Sequence, residues 1–219
     1  MTNVITAADA ATVLAMQPKE DKEWEGLFGT KLFGKGEEGE DAYEVSCHTS
    51  RRGMKELDKD KRPVATILAA IHTVLVMHGL VNDNHFVDAT SLLLSLPGAP
   101  KQSYHHDFKD WTGTPGGKLF KRRALNADGT LPHALSVLIA LEDGASWMVR
   151  RTGEKEKQIF IPRLGAVVFR GDLTHAGSAY KKRNVRLHIY YGVTDPVDGV
   201  ISAPRDEKGV ISVVRGGGG

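Results

Sequence analysis

The stretch Gly165-Ala-Val-Val-Phe-Arg-Gly-Asp-Leu-Thr-His175-Ala-Gly177 decides how this chain is expected to fold. Its first half is apolar and rich in β-branched residues, which favours a buried strand, and Gly171 with Asp172 marks a tight turn. Similar runs bounded by Gly, Pro, Asp or Asn predict further strands at residues 90–96, 134–141, 146–150, 158–161 and 185–193. Short strands without ten-residue helical patterns between them favour an antiparallel sandwich or barrel.

Two helices are expected before this β-rich part. Thr6-Ala-Ala-Asp9 resembles a capping box that opens an Ala-rich helix, which should run to about Met16. Pro63 suits a first helical position, and the apolar face from Val64 to Met77 predicts a second, packing helix. The fold class is therefore mainly β with flanking helices.

Length and composition set the domain organisation. A chain of 219 residues with 41% hydrophobic residues is long enough for one well-buried core and rarely for two full domains. We expect residues 1–88 to form N-terminal helices and loops that pack on a β core formed by residues 89–215. Residues 216–219, all glycine, are expected to be a disordered tail.

Charge and cysteine content narrow the possible partners and compartments. The formal net charge of +2 is spread along the chain, so a nucleic-acid partner is neither indicated nor excluded. The longest apolar stretch falls short of the roughly 20 residues needed to cross a bilayer, so no membrane partner is expected. Cys47 is the only cysteine, which excludes an intramolecular disulfide and favours an intracellular, cytoplasmic location.

Candidate metal ligands lie in an extended segment that follows Pro97 and Pro100. Residues two apart in a strand point to the same face, so His105 and Asp107 should project together and leave the opposite side of a metal open. His175, at the end of the stretch quoted above, supplies a third ligand from a distant part of the chain. Two histidines and one carboxylate are typical of non-haem Fe(II) oxygenases, although other metals remain chemically possible.

A candidate anion site follows on the last long strand. Arg186, His188 and Tyr190 alternate and therefore share one face of the segment 185–193. An arginine on the inner face of a barrel needs an anionic partner, because an unpaired buried charge is costly. A dicarboxylate would satisfy it, since the planar guanidinium suits a carboxylate.

The ordered set of His105-x-Asp107, His175 and Arg186 resembles the Fe(II)- and 2-oxoglutarate-dependent oxygenases of the double-stranded β-helix (jelly-roll, cupin-like) fold. The resemblance spans residues 89–193 and is closest to the phytanoyl-CoA and prolyl hydroxylase-like branches. It implies that the two histidines and Asp107 hold Fe(II), and that Arg186 binds the far carboxylate of 2-oxoglutarate. It also implies that O2 is a cosubstrate, and that decarboxylation of 2-oxoglutarate to succinate and CO2 is coupled to hydroxylation of a substrate. No catalytic residue beyond the metal site is expected.

Two parts of the chain depart from that family. His188 stands where several members place a hydroxyl group that touches the cosubstrate, and we expect it to bind 2-oxoglutarate too. The long segment 109–132 follows the metal-binding strand directly, and its Gly-rich composition with Trp111 suits a substrate lid or, equally, a solvated loop.

Two other functions remain open at this point. A cupin-type metalloenzyme would use the same architecture and metal without 2-oxoglutarate, and a non-catalytic barrel would only bind a partner. Since a fold does not determine a substrate, the sequence leaves protein side chains, nucleobases and small molecules possible. A protein or peptide residue is the expectation, because the chain is small and lacks an obvious nucleic-acid or carrier module.

Overall fold

The computed structural model describes residues 3–19, 24–26, 51–83, 85–102, 104–105, 107, 134–150, 154–171, 173–193 and 211–214. The elements, in chain order, are α1 (Ala7–Ala15), β1 (Glu25–Gly26), β2 (Arg52–Glu56), α2 (Val64–Met77), β3 (His85–Ser95), β4 (Leu135–Ala140), β5 (Ala145–Val149), β6 (Lys157–Ile161), β7 (Ala166–Arg170), β8 (His175–Gly177), β9 (Asn184–Val193) and β10 (Ile211–Val214). The predicted strands and both predicted helices are confirmed within a few residues at their ends.

The two helices begin where the sequence predicts. Thr6 is the N-cap of α1, and its Oγ1 accepts a hydrogen bond from the Asp9 backbone N–H at 3.1 Å. Pro63 stands immediately before the first residue of α2, where its missing N–H costs no helical hydrogen bond. Neither helix in the described part of the chain is long and apolar enough to cross a membrane.

The strands form two antiparallel sheets. Within the described residues, the larger sheet has seven strands in the order β1-β2-β3-β9-β4-β7-β10, and the smaller has three in the order β6-β5-β8. A hydrophobic core between the sheets contains Leu138 and Phe169 from the larger sheet and Trp147 and Ile161 from the smaller. A second core lies on the other face of the larger sheet, which both helices cover. This is the antiparallel sandwich with flanking helices that the sequence predicts.

The larger sheet extends into the part of the chain expected to contain only helices and loops. β2 pairs with β3 along its whole length, with Arg52 opposite Ser95 and Glu56 opposite Ser91. β3 begins at His85, so the sheet also runs across the boundary expected at residue 88. The division into residues 1–88 and 89–215 stays a prediction. The strand β2 escaped sequence analysis because Arg-Gly-Met-Lys-Glu has neither β-branched residues nor apolar alternation.

Several features predicted from the sequence lie outside the described residues. These are the segment 109–132 with Trp111, and the glycine tail at 216–219. The lid and the disordered tail therefore remain predictions.

Packing of α2 against the larger sheet gives a test of the fold. Leu75 is fully buried and Met77, two residues further along the same helix, is 79% exposed. We expect Leu75→Ala to lower the free energy of unfolding by about 2–5 kcal/mol through lost burial and a residual cavity. Met77→Ala, the matched control, should change it by less than about 0.5 kcal/mol. Urea denaturation measures both, and equal effects would contradict the packing described here.

Candidate metal centre

The first and third predicted ligands lie directly opposite each other in an antiparallel bridge. The backbone N–H of His105 donates to the carbonyl of His175 at 2.9 Å, and the N–H of His175 donates back at 3.0 Å. Residues paired in this way present their side chains on the same face, and the two imidazole centroids are 4.5 Å apart. One antiparallel bridge between two segments that are seventy residues apart in the sequence therefore brings together two of the three predicted ligands.

Asp107 completes the cluster. Its Oδ1 lies 3.4 Å from Nε2 of His175, and one ligand atom from each of His105, Asp107 and His175 lies within 4.8 Å of the others. This is the alternation expected of an extended segment, with His105 and Asp107 on one face. His106, predicted to point away, lies outside the described residues.

Asp107 is a buried carboxylate that stays ionised. Burial by itself raises its pKa, but the neighbouring His175 and His188 more than offset this and hold the pKa of Asp107 well below its usual range. Nε2 of His188 lies 3.3 Å from Oδ2, the second carboxylate oxygen. The carboxylate is therefore ready to act as an anionic metal ligand at any pH near neutral.

The surroundings of His175 fix its ring. Its Nδ1 lies 2.9 Å from the carbonyl oxygen of Leu173, an acceptor, so Nδ1 donates to that oxygen and Nε2 is the ring nitrogen that faces Asp107. Trp147 and Phe169 pack against each other with centroids 4.5 Å apart, and both contact the His175 ring, with centroids 5.3 and 4.8 Å away. A histidine oriented by a backbone carbonyl and packed against apolar rings is typical of a metal ligand.

A divalent metal fits this cluster. Asp107 Oδ2 and His188 Nε2 are buried and face each other at 3.3 Å, but neither makes a well-directed hydrogen bond with the described residues, and buried polar atoms normally make one. Two imidazoles and one carboxylate form the facial set associated with non-haem Fe(II). A bound cation would neutralise the negative charge of the buried carboxylate, and the histidine nitrogens would coordinate it.

Arg186 lies in the same cavity as the cluster. The wall of that cavity is formed in part by Asp107, His175, Arg186, His188 and Tyr190. Arg186 is 2% exposed, and its guanidinium donates to the hydroxyls of Tyr180 at 2.9 Å and Ser95 at 2.6 Å. Nε of Arg186 has no hydrogen-bond partner among the described residues. Its charge is therefore met by neutral hydroxyls, which leaves it able to receive an anion.

Tyr190 adds a neutral hydroxyl to the cavity. Burial, and next the negative charge of Asp107, raises the pKa of Tyr190 well above its ordinary value. The predicted alternation on β9 holds, since Arg186, His188 and Tyr190 all reach the cavity from the same face.

Sequence analysis missed the second arginine of the cavity. Arg52 comes from β2, and it joins Arg186 in the cavity wall by donating to the same Ser95 Oγ at 2.8 Å. Nothing in the local sequence marks it, because it follows another arginine and precedes a glycine. Only the pairing of β2 with β3 brings it to the site.

The cluster makes a direct prediction for metal binding. We expect wild-type protein to bind one Mn(II), and His175→Ala and Asp107→Ala to lose saturable binding. His188→Phe should weaken binding only about 10- to 100-fold, because His188 supports Asp107 without being one of the three clustered ligands. Isothermal titration calorimetry measures this, with His72→Ala on α2 as the control histidine. Wild-type affinity in His175→Ala would show that the metal binds elsewhere.

Comparison with known proteins identifies the fold. No family model and no curated protein sequence matches the chain. Solved structures do: a Pseudomonas putida prolyl-4-hydroxylase is 13% identical with a TM-score of 0.53, covering 90% of this chain and 91% of its own. HygX from Streptomyces hygroscopicus, with nickel and 2-oxoglutarate bound, is 11% identical with a TM-score of 0.54, covering 89% and 82%.

A third similar structure carries a bound peptide. It is a Trichoplax adhaerens prolyl hydroxylase in complex with a hypoxia inducible factor oxygen degradation domain peptide fragment, 12% identical, with a TM-score of 0.53 and coverage of 87% and 81%. At such identities the likeness establishes the fold alone. The chain therefore has the double-stranded β-helix fold of the Fe(II)- and 2-oxoglutarate-dependent oxygenases.

Proposed function

We propose that this protein is an Fe(II)- and 2-oxoglutarate-dependent dioxygenase that hydroxylates an organic substrate. The observation that carries the proposal is a His-Asp-His cluster that shares one cavity with the buried cation Arg186. A metal cluster alone suits many enzymes, and a buried arginine alone suits many anions. Together they match a ligand with a metal-chelating 2-oxo acid at one end and a carboxylate at the other.

His105, Asp107 and His175 would hold the metal from one side. The bridge between His105 and His175 fixes the two imidazoles, and Asp107 contributes the negative charge. Bound iron supplies the activation of O2 that is coupled to decarboxylation of the cosubstrate. The overall reaction is R–H + 2-oxoglutarate + O2 → R–OH + succinate + CO2, in which atoms and electrons balance.

Arg186 would receive the far carboxylate of 2-oxoglutarate. The Tyr180 hydroxyl orients the guanidinium, since Tyr180 is itself anchored by Ser146, whose N–H it accepts at 3.0 Å and whose carbonyl it donates to at 2.8 Å. A guanidinium fixed in advance loses little side-chain entropy when the ligand binds, which strengthens the interaction.

His188 is proposed to act mainly on Asp107. Its Nε2 is 3.3 Å from Asp107 Oδ2, which suits a histidine that steadies the second oxygen of a metal-bound carboxylate. The contact with 2-oxoglutarate expected from the sequence remains part of the proposal, since His188 also lines the cavity.

The proposed substrate is a protein or peptide residue. One structure with this fold carries a peptide fragment, and another carries hygromycin B, so the fold accepts either kind of molecule. The mixed charge of the chain suits a peptide better than a nucleic acid. The lid predicted at residues 109–132, with Trp111, would cover such a substrate.

An anaerobic titration with Fe(II) and 2-oxoglutarate tests the proposal without knowledge of the substrate. We expect a visible charge-transfer band in wild type, no band in His175→Ala, and a binding constant weakened roughly 30-fold or more in Arg186→Met, as for loss of one partner of a buried charge pair. Arg183→Met is the matched control, since Arg183 is an exposed arginine paired with Glu142. Admission of O2 should then release succinate in wild type and in the control.

The contrary results separate the alternatives. Metal binding without a 2-oxoglutarate band would favour a cupin-type metalloenzyme that does not use this cosubstrate. The absence of any metal binding would favour a barrel that serves as a binding module. Equal behaviour of Arg186→Met and Arg183→Met would remove the assignment of the carboxylate to Arg186.

A further inference from the structure

We propose that Arg52 is a second cation of the cosubstrate site and determines the preference for a 2-oxo acid with a far carboxylate over one without it. The proposal rests on the function proposed above. Arg52 stands outside the segment 89–193 to which the family resemblance extends, so the resemblance assigns it no role. Three features of its surroundings carry the inference.

The first feature is its position. Arg52 is only 6% exposed although it belongs to a strand near the edge of the larger sheet. It pairs with Ser95 across β2 and β3, and β3 in turn pairs with β9, which carries Arg186. Both arginines reach the wall of the cavity that also contains His105, Asp107 and His175.

The second feature is the oxygen that the two arginines share. Ser95 Oγ is fully buried and accepts from Nη1 of Arg52 at 2.8 Å and from Nη2 of Arg186 at 2.6 Å. Two guanidinium groups are thereby held within hydrogen-bond distance of a single neutral atom. This arrangement sets two positive charges side by side in the cavity wall, and a carboxylate bound there is attracted by both.

The third feature is the set of backbone hydrogen bonds that holds the guanidinium of Arg52 in place. Its Nη2 donates to the carbonyl of Pro100 and to that of Ser178, each at 2.6 Å. These carbonyls lie in the two segments that carry the metal ligands, one leading to His105 and the other following His175. The guanidinium therefore has a fixed place relative to the metal cluster, as required of a group that recognises the opposite end of a chelated ligand.

The close approach of the same two segments supports this arrangement. A Cβ at Gly177 would overlap Oε1 of Gln102 and come within 3.0 Å of Nη1 of Arg52. Gln102 Oε1 accepts from the Gly177 N–H at 2.8 Å, so the glycine allows the segments to close around the guanidinium. Arg52 is thus enclosed by backbone on one side and borders the cavity on the other.

The test compares two 2-oxo acids of equal chain length. The anaerobic charge-transfer band gives dissociation constants for 2-oxoglutarate and for 2-oxopentanoate, which has a methyl group in place of the far carboxylate. We expect Arg52→Met to weaken 2-oxoglutarate binding about 10-fold or more and to change 2-oxopentanoate binding less than about 2-fold. Arg52→Lys, which keeps the charge, should recover part of the loss. The readout is the ratio of the dissociation constant of 2-oxopentanoate to that of 2-oxoglutarate. A general loosening of the site weakens both acids equally and leaves this ratio unchanged.

Arg51→Met is the matched control. Arg51 is the preceding residue, it is exposed, and its guanidinium also donates to a backbone carbonyl of the same loop, that of Pro97, at 2.5 Å. The ratio of the two dissociation constants in Arg51→Met should equal the ratio in wild type. Ser95→Ala removes the oxygen that both arginines share, so we expect a fall in the ratio in the same direction, through Arg52 and Arg186 together. If Arg52→Met does not fold, Arg52→Gln decides the question, because its amide can still donate to a carbonyl while the charge is lost.

Three results would overturn the inference. Equal weakening of both acids in Arg52→Met would assign Arg52 to the scaffold. An unchanged ratio in Arg52→Met, or in Arg52→Gln where Arg52→Met does not fold, would show that Arg52 does not contact the far carboxylate. A wild-type protein that binds metal but gives no band with either acid would instead overturn the proposed function on which the inference rests. The last result differs from the others because it appears before any variant is made.

Discussion

The site depends on one backbone interaction, the reciprocal hydrogen bonds between His105 and His175. Two N–H groups and two carbonyls satisfy each other, which removes the cost of leaving them unpaired in a water-poor interior. The same geometry sets two imidazoles side by side and brings Asp107 to within 3.4 Å of His175. The candidate metal cluster therefore follows from where these two segments meet.

Charge burial is the second constraint, and it connects the fold to the proposed chemistry. A carboxylate and two guanidinium groups face a cavity between two apolar sheets, where ionised groups are stable only with hydrogen bonds or opposite charges. The hydroxyls of Ser95 and Tyr180 meet part of this need. A metal ion beside Asp107 and an anion beside Arg186 would meet the rest. Burial of these charges therefore favours a ligand that reaches from a metal beside Asp107 to the guanidinium of Arg186.

The sequence predicted the fold well because burial leaves periodic patterns in it. The strands β4, β5, β7 and β9 are almost entirely apolar or alternating, and Thr6 and Pro63 mark helix starts by local chemistry. His105 and Asp107 were predicted as a pair because alternation is a local signal, and His175 was added from the order of residues in the family that the sequence resembles. Arg52 and Ser95 were missed since their importance comes from the pairing of β2 with β3. The proximity of His188 to Asp107 likewise depends on the register of β9, which no sequence pattern specifies.

A crystal structure grown without oxygen in the presence of Mn(II) and 2-oxoglutarate tests the central claim most directly. We expect one metal bound by His105, Asp107 and His175, with the 2-oxo acid end of the ligand on the metal and its far carboxylate against Arg186. A metal bound by other residues, or a ligand whose far carboxylate points away from Arg186, would contradict it.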